Sequence, residues 1–308
     1  MIRPPALRYG ARIALVAPAG PLASDAVDAA ISRISQWGWV PVLGAHARNR
    51  TGYLAGTDSQ RAADFNEALH SDQNDAIWCL RGGYGTMRII DGLDWNALSA
   101  RPRPLIGFSD NTALHLAAQR AGVVSLHGPH PASRELPEFS KDLLLQTLTG
   151  TLPGGPLPFP PGGSRRGETI RGGLAEGPLV GGNLSLIAAT LGTPYAIRAE
   201  GSILFLEEVG EPAYRIDRLL SHLRLAGIFS KAAGIVIGAF SECPDEAGGH
   251  LPSPAEVIRD RLHNLEIPSA MGFPFGHIAE SWTLPLGISA RLDASAGTLE
   301  LLQTAVVG

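Results

Sequence analysis

The sequence predicts an α/β protein in two parts: a parallel sheet covered by helices on both faces, then a smaller mixed β/α domain. Three observations carry this expectation. Short, almost continuously apolar runs alternate with helical patterns through the first half, the pattern of strands buried on both faces and joined by right-handed crossovers. The stretch GTLPGGPLPFPPGG (150 to 163) holds five glycines and five prolines, a density that no helix or central strand survives. Finally, 308 residues with 44% hydrophobic content suffice for one large or two ordinary domains with buried cores.

In order along the chain, RIALVAPAG (12 to 20) reads as a strand. The next segment, SDAVDAAISRISQWG, reads as a helix with Ser24 as its N-cap and Gly38 past its end. A strand VPVLG, a helix GTDSQRAADFNEALHS, strands DAIWCL and PLIGF, a helix within SDNTALHLAAQRAG and a strand VVSLHG complete the first domain. Its expected bounds are 1–149. Residues 150–171 are expected to be a linker or surface loop and 172–308 the second domain. That domain runs through GPLVGGNLSLIAATLG, the strand SILFLEEVG, the helix YRIDRLLSHLRLAG, the strand AAGIVIGAF, the helix SPAEVIRDRLHNL and strand-rich closing segments. In a parallel sheet the carboxyl ends of the strands carry the ligand site.

A net charge of -4 with both signs scattered excludes the basic stripe that a nucleic-acid or anionic-membrane partner requires. No run of 18 apolar residues and no export signal is read. Two cysteines, Cys79 and Cys243, lie far apart. They offer no disulfide framework, suit a reducing cytoplasm and are expected to be buried.

Four segments carry candidate chemistry. Ser109, in GFSDNTALH, lies just past a strand and before a helix, the setting of a nucleophile elbow in which the hydroxyl and the following N–H face one carbonyl. Gly107 fits the G-x-S-x-G pattern and Asn111 departs from it; the alternative is that Ser109 or Asp110 caps the helix. RGGYG (81 to 85) follows a strand, and its glycines let backbone N–H groups approach an oxyanion or other anion; a plain tight turn is the alternative. In ILFLEEV, strand alternation sends Glu207 and Glu208 to opposite faces. One can enter a site while the other meets a base such as Arg215 or Arg218. His277 lies in the glycine- and proline-rich loop GFPFGHIAESW, where an accessible histidine is a functional candidate. The pair His127 and His130 is not read as a metal site, because its loop spacing lacks helical geometry and a third ligand. His115 is read as a packed or solvent-facing helix residue.

Together and in this order, GFSDNTALH, RGGYG, FLEEVGEPAYRIDR and GFPFGH resemble the LD-carboxypeptidase family of serine peptidases, which also contains the microcin-immunity peptidases. The resemblance spans nearly the whole chain. It implies a flavodoxin-like amino-terminal domain, a smaller carboxy-terminal β/α domain with the site at their interface, and a homodimer. It implies Ser109 as nucleophile, His277 as base and then acid, Glu207 as its orienting carboxylate with Glu208 as the alternative, and the N–H groups of Gly82 and Asp110 as the oxyanion hole. No metal or cofactor is implied. The implied reaction releases terminal D-alanine from a cytoplasmic murein tetrapeptide, in cell-wall recycling, with Arg81 and Tyr84 as candidate substrate contacts. A microcin-immunity-like activity on aminoacyl or peptidyl nucleotide amides is the runner-up. It is associated with base-stacking aromatics in the interdomain loop, where only Phe159 is available. A reading of another class is a non-catalytic protein that holds an anionic metabolite at RGGYG.

Overall fold

The computed structural model describes residues 1–164, 166–244 and 252–308. The chain divides into two compact units, residues 1–152, 283–287 and 304–308 forming unit 1 and residues 153–282 and 288–303 forming unit 2. Unit 1 begins with β1 (Arg12–Val16), α1 (Ser24–Gln36), β2 (Val40–Leu43), α2 (Asp58–His70), β3 (Ala76–Cys79) and α3 (Trp95–Ala100). It continues through β4 (Leu105–Gly107), α4 (Thr112–Arg120), β5 (Ser125–His127) and α5 (Glu138–Thr149). The strands β5, β4, β3, β1 and β2 lie side by side in that order, all parallel. Strand alternation builds two cores. Ile13, Leu15, Trp78, Ile106 and Leu126 face one way, onto Val27 and Ile34 of α1 and Leu144 and Leu148 of α5. Ala14, Val16, Ile77 and Leu105 face the other way, onto Phe65 and Leu69 of α2 and Leu114 of α4.

Local chemistry sets the helix starts. Thr57 and Gln60 close a reciprocal capping box at α2. Ser24, by contrast, is not the N-cap of α1: that position belongs to Ala23, in extended backbone with no side-chain cap. The Ser24 hydroxyl instead accepts from Arg48 Nη1 at 2.6 Å. Cys79 is buried in β3, where desolvation pushes its thiol pKa up, and Cys243 is only half-buried.

Unit 2 contains β6 (Glu168–Arg171), β7 (Leu174–Asn183), α6 (Leu184–Thr190), β8 (Ile203–Val209), α7 (Ala213–Leu225) and α8 (Ile228–Lys231). β9 (Gly234–Ser241), α9 (Pro254–His263) and β10 (Ser269–Met271) follow; after them β11 (Leu284–Leu286) returns to unit 1 and β12 (Ser289–Asp293) and β13 (Thr298–Leu301) close unit 2. The unit 2 sheet runs β13-β12-β7-β8-β9-β10-β6, parallel from β7 to β10 and antiparallel at both edges.

Two expectations change. The span 150–171 is not wholly loop. Residues 168–171 form edge strand β6, Leu157 is buried, its N–H donates to Leu299 O at 2.8 Å, and the Phe159 ring packs on Trp282 and Phe273. The prolines hold this segment extended, so it can lie along unit 2 without a ladder of its own. Nor does all of 172–308 join one domain. β11 pairs antiparallel with β5, and Ala305 and Val306 enter the first core. No helix among the described residues is long and apolar enough to cross a membrane.

Candidate active site

In unit 1, the site is built where β4 turns into α4. Ser109 has φ 62°, a left-handed conformation that costs a non-glycine residue about 1–2 kcal/mol. A helix N-cap has extended backbone instead, so Ser109 is no cap. Asp110 is not one either. Its carboxylate accepts from Thr86 N at 2.9 Å and its carbonyl from Thr86 Oγ1 at 2.6 Å. These bonds tie the serine turn to the segment after RGGYG, while burial raises the Asp110 pKa. The two backbones meet at Gly82, where an added Cβ would fall 2.9 Å from Ser109 Cβ and 3.2 Å from Asp110 N. Only glycine allows that approach. Gly82, Ser109 and Asp110 are thus gathered at one point, as an oxyanion-binding turn requires. Arg81 and Tyr84 flank it on an exposed groove.

The departure at Asn111 has a structural counterpart. Its side chain is fully buried against Gly107, and its Oδ1 accepts from His130 Nε2 at 3.0 Å. His115 of α4 bridges the same region: Nε2–H donates to Gly107 O at 2.8 Å and Nδ1 accepts from Ser125 Oγ at 2.9 Å. Burial lowers its pKa to about 4, so this ring is neutral and structural. Among the described residues no three His, Cys, Asp or Glu side chains converge as a metal set.

In unit 2, β8 separates its two glutamates by alternation. Glu207 is fully buried and accepts from His277 Nδ1–H at 2.7 Å. Gly276, at φ +111°, brings the histidine loop so close that an added Cβ would sit 2.9 Å from Glu207 Oε2. His277 is itself partly buried, and the bond to Glu207 fixes its Nδ1 as the donor nitrogen. Glu208 points the other way. Its carboxylate accepts from Asn183 Nδ2, Ser185 N, Ser185 Oγ and Val209 N at 2.7–2.9 Å, and burial raises its pKa. The expected basic partners lie elsewhere, Arg215 on Glu211 and Arg218 over the Tyr214 ring. Glu208 meets uncharged donors around the start of α6 because that helix, not α7, covers its face of β8.

Comparison with known proteins places the chain in one family. Residues 13–128 match the LD-carboxypeptidase N-terminal domain and residues 176–292 the LD-carboxypeptidase C-terminal domain. The murein tetrapeptide carboxypeptidase of Pseudomonas aeruginosa is 36% identical over 92% of this chain and 94% of its own length. The chain belongs to the LD-carboxypeptidase family. The microcin C7 self-immunity protein MccF of Escherichia coli is 28% identical over 90% of this chain and 88% of its own. The crystal structure of muramoyltetrapeptide carboxypeptidase from Oxalobacter formigenes superposes with a TM-score of 0.84, at 29% identity over 94% of this chain and 97% of that one. The matched N-terminal part of this LD-carboxypeptidase family chain holds Gly82, Ser109 and Asp110, and the matched C-terminal part holds Glu207 and His277. Sequence reasoning missed Thr86, the His130–Asn111 bond and the Asn183–Ser185 cradle of Glu208. Thr86 and His130 become neighbours of the serine turn only through folding, whereas the Asn-x-Ser of an α6 capping sequence was visible as a donor-rich helix start.

Proposed function

We propose that this chain is a serine carboxypeptidase that releases terminal D-alanine from murein tetrapeptides in the cytoplasm, as part of cell-wall recycling. The observation that carries the reading is the 2.7 Å bond from His277 to the buried Glu207, an imidazole oriented and charge-stabilised as a general base needs. The likeness to the Pseudomonas aeruginosa murein tetrapeptide carboxypeptidase supports the substrate class. In this reading Ser109 is the nucleophile and His277 Nε2 is its general base.

Ser109 Oγ attacks the carbonyl carbon joining the L-centre of the diamino acid to D-alanine, and its proton passes to His277 Nε2. Glu207 holds Nδ1–H and stabilises the imidazolium that forms. The oxyanion accepts from Gly82 N–H and Asp110 N–H. Loss of one such donor typically costs about 3 kcal/mol of barrier. Collapse breaks the C–N bond, and the leaving amine takes the proton from His277. Water, deprotonated by the same histidine, then hydrolyses the acyl-serine and regenerates Ser109. The left-handed Ser109 backbone is the strain that keeps the hydroxyl and the following N–H on one side.

Purified protein incubated with murein tetrapeptide is expected to yield tripeptide and D-alanine by mass spectrometry, and Ser109→Ala is expected to abolish the release. Undiminished release by Ser109→Ala, or none by the wild type, refutes the reading. The nucleotide-amide alternative is the weaker reading, since Phe159, the aromatic of the Gly/Pro-rich stretch, is packed on Phe273 and Trp282.

A further inference from the structure

We propose that the groove between Arg50 and Arg81 is the binding site for the free carboxylate of the leaving D-amino acid, the feature that makes the enzyme a carboxypeptidase. The groove has a volume of about 510 Å³ and lies wholly within unit 1. Gly20 and Gly83 contribute its backbone floor, and Tyr53 and Tyr84 stand along it. Both arginines are exposed, and neither pairs with a carboxylate among the described residues. Neighbouring arginines behave differently: Arg48 pairs with Asp28, and Arg61 and Arg88 with Asp58. The Arg81 guanidinium is positioned by one bond, Nη1 to Pro21 O at 2.9 Å, and its side chain lines the groove. Tyr53 and Tyr84 pack edge to face with centroids 5.7 Å apart and yet remain 65% and 51% exposed. Two large aromatics and two uncompensated cations around one groove suit an anion carried on a short organic residue.

Distance along the chain ties this groove to the chemistry. Arg81 immediately precedes Gly82, whose backbone lies against Ser109 Cβ. In a carboxypeptidase only one residue follows the scissile bond, so its carboxylate sits about one Cα–Cα step, roughly 4 Å, beyond the reacting carbon. A cation for it must therefore flank the oxyanion donor, as Arg81 does, and Arg50 lines the same groove. Planar guanidinium forks bind carboxylate through two parallel bonds, which a carboxamide cannot replace.

This assignment rests on the reading of Ser109 as nucleophile. Its test needs no turnover. Binding of a murein tetrapeptide and of the same peptide with its terminal carboxylate converted to carboxamide is measured by calorimetry on Ser109→Ala protein. The acid is expected to bind about 10- to 100-fold more tightly, the range of a charge-assisted hydrogen bond. With Arg50→Gln and Arg81→Gln added, the ratio is expected to fall to about threefold or less. A structural role for the arginines would weaken both peptides alike and leave the ratio intact. Equal affinities in the parent, or a ratio that survives the double substitution, overturns the assignment. Absence of D-alanine release by the wild type instead strikes at the reading beneath it.

Discussion

Two adjacent carboxylates, Glu207 and Glu208, have opposite environments, and substitution separates them. Glu207 accepts from His277 Nδ1–H, whereas Glu208 is enclosed by four uncharged donors. In the proposed mechanism Glu207→Gln removes the charge that would stabilise the imidazolium, and a fall of about 10³- to 10⁴-fold in kcat is expected, with little change in melting temperature. Glu208→Gln replaces two acceptor oxygens with one, so a buried donor loses its partner. A loss of about 1–3 kcal/mol of stability is expected, with kcat for D-alanine release within tenfold of wild type. Kinetics and thermal melts of both variants check this, and the reverse pattern would exchange their roles. Strand alternation made the opposed faces legible in the sequence. Which glutamate met histidine was not, because the loop carrying His277 reaches β8 only in the folded unit. Ser109 was half legible: the strand-to-helix junction marked it, but its positive φ and the Asn111–His130 bond depend on contacts from β5 and the loop beyond it.

At the level of elements, α4 is held to β4 and β5 by His115, a residue read from sequence only as packed or exposed. Its neutral ring accepts from Ser125 and donates to Gly107 O, so protonation breaks the accepting bond and charges a fully buried site. The folded-state pKa of about 4 lies below the ordinary 6.5. Below pH 6.5 the unfolded chain therefore binds a proton that the native state refuses. Stability contributed by the neutral ring is intact above pH 6.5 and is lost progressively as pH falls to 4, a loss of order 3 kcal/mol. His115→Gln retains a donor and an acceptor and should flatten that dependence. Urea midpoints from pH 8 to pH 4.5 for both proteins test it; parallel curves would remove His115 from the cause. Elements with strong apolar runs were legible throughout the first sheet. β6 was not, because Glu168–Arg171 is polar and earns its place at the sheet edge by pairing with β10. The misplaced N-cap of α1 has a similar origin, since Arg48, 24 residues away, takes the Ser24 hydroxyl.

For the molecule as a whole, the order of segments in sequence understates how they combine. The first division between the units, after residue 152, falls within the proline- and glycine-dense stretch. The returns at 283–287 and 304–308 left no comparable mark, because a three-residue strand and a short tail carry too little periodicity to reveal their partner. The tail nevertheless completes unit 1. Val306 and Ala305 are buried in its first core, Ala6 N–H donates to Val307 O at 2.7 Å, and Val307 N–H donates to Pro4 O at 2.9 Å. Deleting residues 304–308 should therefore destabilise the amino-terminal unit even though unit 2 lies between them in sequence. The apolar area and the two main-chain bonds together argue for a loss of about 3 kcal/mol, or roughly 6–12 °C in that unit's transition. Trp37, Trp39, Trp78 and Trp95 all belong to unit 1 and Trp282 alone to unit 2, so intrinsic fluorescence reports chiefly on the affected unit. A fluorescence melt of the shortened chain coincident with that of the full chain would show that the tail is dispensable to the first core.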